Sequence, residues 1–144
     1  MILTSLALTG AAAFAGAAAY VNLAEQPARL QFDDVSLLRE WKPSYASGLE
    51  MQATLALVSG LLGLAAFFWE HHPAAALGGV LMLANWPYTL LVMAATNKAL
   101  AATADQDAGP ATRARIVKWG KLHAVRTFLG LAGACAFVLA STAT

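Results

Sequence analysis

The sequence predicts an all-α membrane protein, a four-helix transmembrane bundle with little protein outside the bilayer. Of its 144 residues, 59% are hydrophobic and only 12% are charged, which is about half the charged fraction of a soluble domain. The mean hydropathy is +0.60, and a water-soluble chain of this size could not bury so much apolar surface. Four apolar runs are also long enough to cross a hydrocarbon core about 30 Å thick, which takes roughly 20 residues.

The four spans are expected at about residues 2–24, 45–69, 73–95 and 119–140, within one domain that covers residues 1–144. None of the runs alternates apolar with polar residues, so helices are predicted and not a barrel. No basic residue precedes the first run, which is also too long for a signal-peptide core and is therefore interpreted as a true span. The link between the second and third spans, Glu70–His72, is so short that these spans must form an antiparallel hairpin.

The first connection is predicted to contain a short helix of its own. Leu37, Leu38 and Trp41 recur at helical spacing after Asp34, which is placed to cap the helix, and Pro43 is expected to end it. Because its apolar residues share one face, the pattern is typical of a helix that lies on the lipid headgroups.

In the third span, Pro87 removes one backbone hydrogen bond and is expected to kink the helix. The kink should open space near Asn85 and Tyr88, two polar side chains within one turn of it. Further along, Thr96 shares a face with Asn85, whereas Asn97 lies about 120° away on an ideal helix.

Basic residues predict the orientation in the membrane. All nine Lys and Arg residues lie in or beside the first and third connections, and the second connection has none. The positive-inside rule therefore places residues 25–44 and 96–118 in the cytoplasm and both termini outside, for a multi-pass protein of the cell membrane. A net charge of +1 gives no reason to expect a nucleic-acid partner.

Four ionisable residues lie within or at the edges of the spans, namely Glu25, Glu50, His123 and Arg126. Such residues are costly in lipid and are default candidates for function. In the fourth span, His123 and Arg126 share a stripe of about 80° with Trp119, Gly130 and Gly133, which should face the bundle. Glu50 is expected at nearly the same depth and is the predicted partner of the pair.

Two interpretations of these four residues stand at this point. A carboxylate, an imidazole and a guanidinium at one depth can do acid–base chemistry. Alternatively, a glutamate neutralises Arg126 so that the helix can insert, and His123 makes a packing hydrogen bond.

Other kinds of site find no support. The sequence contains no phosphate-binding loop, dinucleotide fingerprint or pair of cysteines, since Cys135 is alone. Glu70, His71 and His72 are adjacent and point in different directions, and no further His or Cys lies on that side, so no metal site is expected.

Three stretches resemble the anthrone oxygenase-like family of small four-span membrane proteins. They are YVNLAEQPAR at residues 20–29, NWPYT with TNK at residues 85–89 and 96–98, and WGKLHAVRT at residues 119–127. The W-x-x-x-H-x-x-R pattern of the last stretch is the most specific, and the resemblance extends over nearly the whole chain. Fungal members of that family are implicated in oxidising anthrones to anthraquinones with molecular oxygen and with no evident metal or flavin.

The resemblance implies a cofactor-independent monooxygenase, an oxidoreductase that acts on a phenolic or anthrone-like compound dissolved in the lipid. His123 would be the base, Arg126 would stabilise the anion, and Glu50 or Glu25 would orient the histidine. The substrate-binding residues would be Asn85, Tyr88, Asn97 and Trp119.

The rival interpretation is an accessory or assembly protein of a membrane complex, in which a partner covers the Gly- and Ala-rich face of the first span. A homo-oligomer and a partner membrane protein are both compatible with the sequence. A lone transporter is disfavoured, because no internal repeat is visible.

Overall fold

The computed structural model describes residues 1–142 and contains four long helices. They are α1 (Ile2–Arg29), α2 (Asp34–Glu70), α3 (Pro73–Ala102) and α4 (Pro110–Thr142), and each is long and apolar enough to cross a membrane. No strand occurs in this part of the chain. The predicted all-α bundle of four spans is confirmed, although each helix continues beyond the apolar run that identified it.

The helices stand in a square in chain order, so that α1 and α3 each pack between α2 and α4. Large apolar side chains such as Leu23, Trp69 and Leu91 are at least 75% exposed. A soluble monomer would not leave so many of them in water, whereas a lipid environment accommodates them. The fold and its surface therefore indicate a multi-pass membrane protein.

The half of the bundle near the α2–α3 link, here called the packed half (residues 3–18, 55–83 and 130–140), is assembled from small residues and aromatic rings. A Cβ added to Gly63 or Gly78 would meet the ring of Phe137 at 2.6 or 2.7 Å, and one added to Gly130 would meet Phe14 at 2.5 Å. These rings occupy the space that the glycines leave free. Glu70 closes this end, because its carboxylate accepts bonds from the backbone N–H groups of Leu3 and Thr4 at 2.8 and 3.2 Å.

The predicted helix after Asp34 exists, but two features of it were predicted wrongly. Asp33, not Asp34, is the cap, and its side chain accepts bonds from Val35 and Ser36. Pro43 does not end the helix, because α2 runs through it to Glu70 without a break.

The apolar face of this segment also does not lie on headgroups. Leu37, Leu38 and Trp41 are fully buried and pack against Leu100, Ile116 and other residues of α3 and α4. The segment is therefore the first part of a long core helix. Burial of its apolar side chains outweighs the one backbone hydrogen bond that Pro43 removes.

Two of the helices are irregular in the other half of the bundle, here called the polar half (residues 19–54 and 84–129). The α-helical hydrogen-bond pattern of α3 is interrupted at Ala84, three residues before Pro87. The helix then has π-helical geometry over Thr89–Met93. A second π-helical segment interrupts α1 at Val21–Glu25. The helix is thus irregular beside Pro87, where a kink was predicted, and the amide of Asn85 donates to the carbonyls of Leu81 and Met82 at 3.4 and 3.1 Å.

Candidate functional site

The predicted stripe on α4 faces the bundle. His123 and Arg126 are 2% and 4% exposed, and Trp119, Gly130 and Gly133 are buried with them. The predicted inward face of α4 is confirmed, and the close approach of α1 and α3 requires its glycines to face inward.

His123 is held by an amide and not by a carboxylate. Its Nδ1 lies 2.9 Å from Oδ1 of Asn22, which also accepts a bond from the hydroxyl of Thr127 at 2.7 Å. The amide nitrogen of Asn22 donates to the carbonyl of Gly120 at 2.8 Å, so Oδ1 is the atom that faces the ring.

This arrangement decides which ring nitrogen can act as a base. Since Asn22 Oδ1 only accepts, Nδ1 of His123 carries the proton and the lone pair lies on Nε2. No group in residues 1–142 bonds to Nε2. The histidine is thus oriented, and its basic nitrogen is free.

No carboxylate of residues 1–142 pairs with Arg126. Its guanidinium makes no hydrogen bond or ion pair with any residue of the described chain, and its Nε is buried without an acceptor. One face of the group lies over the ring of Phe14, 5.6 Å from the centroid. An unpaired guanidinium within a membrane costs roughly 2.5–3.5 kcal/mol on insertion scales, and its five donors are free to bind an anionic or carbonyl oxygen.

The prediction that Glu50 pairs with His123 and Arg126 is wrong. Glu50 is exposed and makes no side-chain bond within residues 1–142, and the hydroxyl of the neighbouring Thr54 bonds only to its backbone carbonyl. The rotation of α2 that buries Gln52 and Ala56 turns Glu50 outward.

Glu25 belongs to a separate charge cluster, made of Glu25, Arg29, Glu40 and Ser44. Glu25 pairs with Arg29 and accepts a bond from the hydroxyl of Ser44, to which Arg29 also donates at 2.9 Å. Glu40 lies 3.0 Å from Arg29 Nε as an ion pair, although the angle does not make a hydrogen bond.

Trp119 separates this charge cluster from the histidine. Its ring lies 5.0 Å from that of His123 and 5.7 Å from the guanidinium of Arg29, measured to the Trp119 centroid. Of the two predicted carboxylates, only Glu25 is therefore paired, and its partner Arg29 lies on the far side of the Trp119 indole from His123.

A cavity of about 260 Å³ lies between α2 and α3, with Arg126 at its inner end. Its walls are mostly apolar, and Trp86 and Leu90, which are 41% and 62% exposed, form the side that faces lipid. Asn85 and Asn97 line it, and the Oδ1 atom of each is buried without a donor. The cavity thus offers apolar walls, a cation, and two asparagine side chains whose unpaired oxygen atoms lie just behind the wall.

The π-helical segment explains why both asparagines line one cavity. Twelve residues of ideal helix place Asn97 about 120° from Asn85, whereas one residue absorbed in a π turn reduces the angle to about 20°. The sequence does not reveal this shared face, because the prediction from spacing holds only for a uniform α-helix.

A smaller recess of about 20 Å³ adjoins the cavity on the α1 side. His123, Trp119, Ser44 and Gln52 line it, and Oε1 of Gln52 is buried without a partner. Tyr88, predicted to bind substrate, lines neither space, because its hydroxyl donates to the carbonyl of Leu122 at 2.8 Å. Trp119 borders the recess and not the main cavity.

Neither space resembles a metal site. Within residues 1–142, no three His, Cys, Asp or Glu side chains are grouped so that they could hold an ion. The polar groups that face the cavity are amides, hydroxyls and cations, which suit a ligand with oxygen atoms at the ends of an apolar body.

Fold and site together define a class of protein. It is a four-helix multi-pass membrane protein whose helices enclose a mostly apolar cavity with a few polar side chains in its wall. A sequence model of the family described as "Anthrone oxygenase" matches residues 41–136. An anthrone oxygenase of Claviceps purpurea (strain 20.1) is 32% identical over 114 residues, which cover 71% of this chain. The chain belongs to the anthrone oxygenase family, so the resemblance found in the sequence is confirmed.

The match covers 66% of the length of that fungal relative. No solved structure matches the chain. The range matched by the family model includes His123, Arg126 and both cavity asparagines but not Asn22.

Proposed function

We propose that this protein is a cofactor-independent oxygenase that acts on a phenolic or anthrone-like compound dissolved in the membrane. One observation carries the proposal. His123, with a free ring nitrogen, and Arg126, with an unpartnered guanidinium, line the same recess beside an apolar cavity. The fungal relative is an anthrone oxygenase, which supports the oxygenation of an anthrone-like substrate.

The chemistry needs a base and a site for an anion. His123 takes up the proton of an acidic C–H group, which leaves an enolate-like carbanion on the substrate. Arg126 lies where the charge develops and stabilises the oxyanion. The carbanion then gives electrons to molecular oxygen and forms a C–O bond to a peroxide, which takes back the proton from the imidazolium. Loss of water from this hydroperoxide breaks the O–O bond and leaves the ketone, so oxygen itself is the oxidant.

The cavity has features that select such a substrate. A rotation of the Asn85 or Asn97 side chain would turn its unpaired Oδ1 toward a phenol hydroxyl, while the apolar walls take the ring system. Because Trp86 and Leu90 of α3 are exposed and border the cavity, the compound would enter sideways from the lipid.

Oxygen uptake by the purified protein in lipid nanodiscs tests this function. We expect anthrone to be oxidised to anthraquinone with consumption of oxygen, and Arg126→Met to lower kcat/KM by about 100-fold, the usual scale for loss of one oxyanion donor. Arg115→Met is the control, because Arg115 is an exposed arginine on the same helix. Absence of turnover with anthrone and with a panel of phenols and quinols would refute the oxygenase.

Purification distinguishes the rival role of an accessory protein. An enzyme should be active alone, whereas an assembly factor should co-purify with a fixed membrane partner and lose no turnover with Arg126→Met. Much of the Gly- and Ala-rich face of α1 is already used inside the bundle, where Ala7, Ala11 and Ala18 are fully buried.

The orientation is part of the proposal. The basic residues favour a cell-membrane protein with residues 25–44 and 96–118 in the cytoplasm and both termini outside. In a Cys135→Ala background, a cysteine placed at Ala108 should be inaccessible to an impermeant reagent in intact cells. Labelling of that position would reverse the orientation without changing the site.

A further inference from the structure

The base and the substrate-sized space are not in the same void. His123 lines the recess of about 20 Å³, whereas the two asparagines line the cavity of about 260 Å³. A recess of that size holds about one water molecule and no aromatic ring. A substrate in the main cavity must therefore pass its proton across the junction between the two spaces.

Three residues form this junction, because they line both spaces: Tyr45, Leu49 and Arg126. Leu49 has no exchangeable proton. Arg126 remains charged and has donors only, so it cannot accept a proton. The phenolic hydroxyl of Tyr45 is the one group of the three that can both accept a proton and donate one.

Tyr45 is also held in a way that suits this position. Its ring is stacked on Trp41, with centroids 4.6 Å apart and planes 5° from parallel, and Trp41 itself is fully buried. Its hydroxyl makes no hydrogen bond with any residue of 1–142, in contrast to the hydroxyl of Tyr88, which is bonded to Leu122. The packed ring fixes the direction of a hydroxyl whose bonding capacity is unused.

We propose that Tyr45 is a catalytic residue that relays the substrate proton to His123; this rests on the proposed function. The substrate C–H bond breaks and its proton goes to the Tyr45 oxygen. The Tyr45 O–H proton goes to Nε2 of His123, directly or through one water in the recess. The products are a substrate carbanion beside Arg126 and an imidazolium, and nothing is oxidised or reduced in this step.

Hydrogen exchange without oxygen isolates the proton step from the oxidation. Anthrone is incubated anaerobically in D₂O with the protein in nanodiscs, and deuterium at its methylene carbon is followed by NMR against protein-free nanodiscs. We expect the wild-type protein to accelerate exchange, and Tyr45→Phe to lower the protein-dependent rate by about 100-fold. Anthrone binding, measured by quenching of tryptophan fluorescence, should change by less than about 3-fold, because only the hydroxyl is removed.

Tyr20→Phe is the matched control. Tyr20 is 63% exposed on α1 and borders neither space, so its hydroxyl has no role in the transfer. We expect this variant to exchange at the wild-type rate.

The outcomes separate the two proposals. Exchange by Tyr45→Phe at the wild-type rate overturns the relay and leaves the oxygenase standing. Exchange by the wild-type protein without oxygen uptake overturns the oxygenase and leaves the relay. If the wild-type protein accelerates neither reaction, both are wrong.

A measurement on the wild-type protein keeps the relay testable if Tyr45→Phe does not fold. Deuterium washout from deuterated anthrone is followed in mixtures of H₂O and D₂O. Two protons moving together should give a curved dependence of rate on deuterium fraction, whereas a linear dependence contradicts the relay.

Discussion

The packed half and the polar half are built from the same four helices, yet the first is closely packed and the second contains a cavity and unpaired polar groups. In the packed half, glycines bring the helix backbones close and Phe14 and Phe137 fill the remaining space. In the polar half, both π-helical segments of residues 1–142 occur, and an unpaired arginine, free amide oxygens and a cavity lie between the helices. The packed half holds the helices in register, which allows the polar half to keep unsatisfied groups that would otherwise destabilise it.

The largest expected effect is in the polar half. His123→Ala should lower turnover of anthrone by about 100-fold or more, the scale for loss of a general base. Folding should be almost unaffected, because Oδ1 of Asn22 still accepts a bond from Thr127. Steady-state kinetics and thermal unfolding of the same preparation measure both quantities.

Lys121→Ala is the control for that variant, since Lys121 is exposed on the same helix. The activity of His123→Ala could instead fall only as far as its fraction of folded protein falls. In that case the histidine has a packing role, and the polar half is not a catalytic site.

In the packed half, a single methyl group should destabilise the bundle. A Cβ at Gly79 would lie 2.8 Å from the carbonyl oxygen of Gly60 and 3.0 Å from the backbone nitrogen of Leu64, and neither belongs to a flexible side chain. Gly79→Ala should therefore cost about 1–3 kcal/mol by overpacking. Reversible unfolding in mixed micelles measures the change.

Gly16→Ala tests the same substitution where there is space, because nothing lies within 4 Å of its added Cβ. It should be neutral or stabilise α1 by up to about 1 kcal/mol, the helix preference of alanine over glycine. If Gly79→Ala and Gly16→Ala changed the stability equally, close approach of the helix backbones would not be what holds the packed half together.

A smaller effect is expected at the cavity wall. Asn97→Ala removes a buried oxygen that has no protein donor, so the protein should be as stable as the wild type or slightly more stable. Because the substrate loses one hydrogen bond in this variant, its KM should rise by about 10-fold with little change in kcat. A loss of stability with an unchanged KM would mean that Asn97 supports the fold and does not contact the ligand.

The smallest effect concerns the rim of the polar half. Hydrogen bonds from Arg39 and then Lys42 hold the pKa of the Asp105 carboxyl below its ordinary value. A lowered folded-state pKa adds stability above the unfolded value near 4, and this is lost as pH falls through the folded pKa. Asp105→Asn should thus unfold slightly earlier than the wild type at pH 7, and the difference should shrink as the pH falls below the unfolded value.

The effect at Asp105 should also weaken at high salt, because the cluster is open to solvent. A difference between the two proteins that stays constant as the pH falls from 7 to 3 would assign it to a cause other than the charge of Asp105.

Much of the candidate site could be predicted from the residue types and their spacing along one helix, α4. The inward stripe of α4 was predictable because His123 and Arg126 repeat with the glycines at the period of an α-helix. The carboxylate partner was not predictable in this way. Whether Glu50 or Gln52 turns inward depends on the rotation of α2 against α1 and α3, which no pattern within α2 reveals.

The sequence by itself determined four apolar helices and the inward face of α4, because transfer of apolar residues into lipid and the period of the helix depend on local order alone. Only the tertiary structure decided that Asn22 orients His123, that Glu25 pairs with Arg29, and that two asparagines share a cavity. These contacts depend on how neighbouring helices rotate against each other and on where a π turn shifts a face by one residue. Both are settled by packing between helices far apart in the chain.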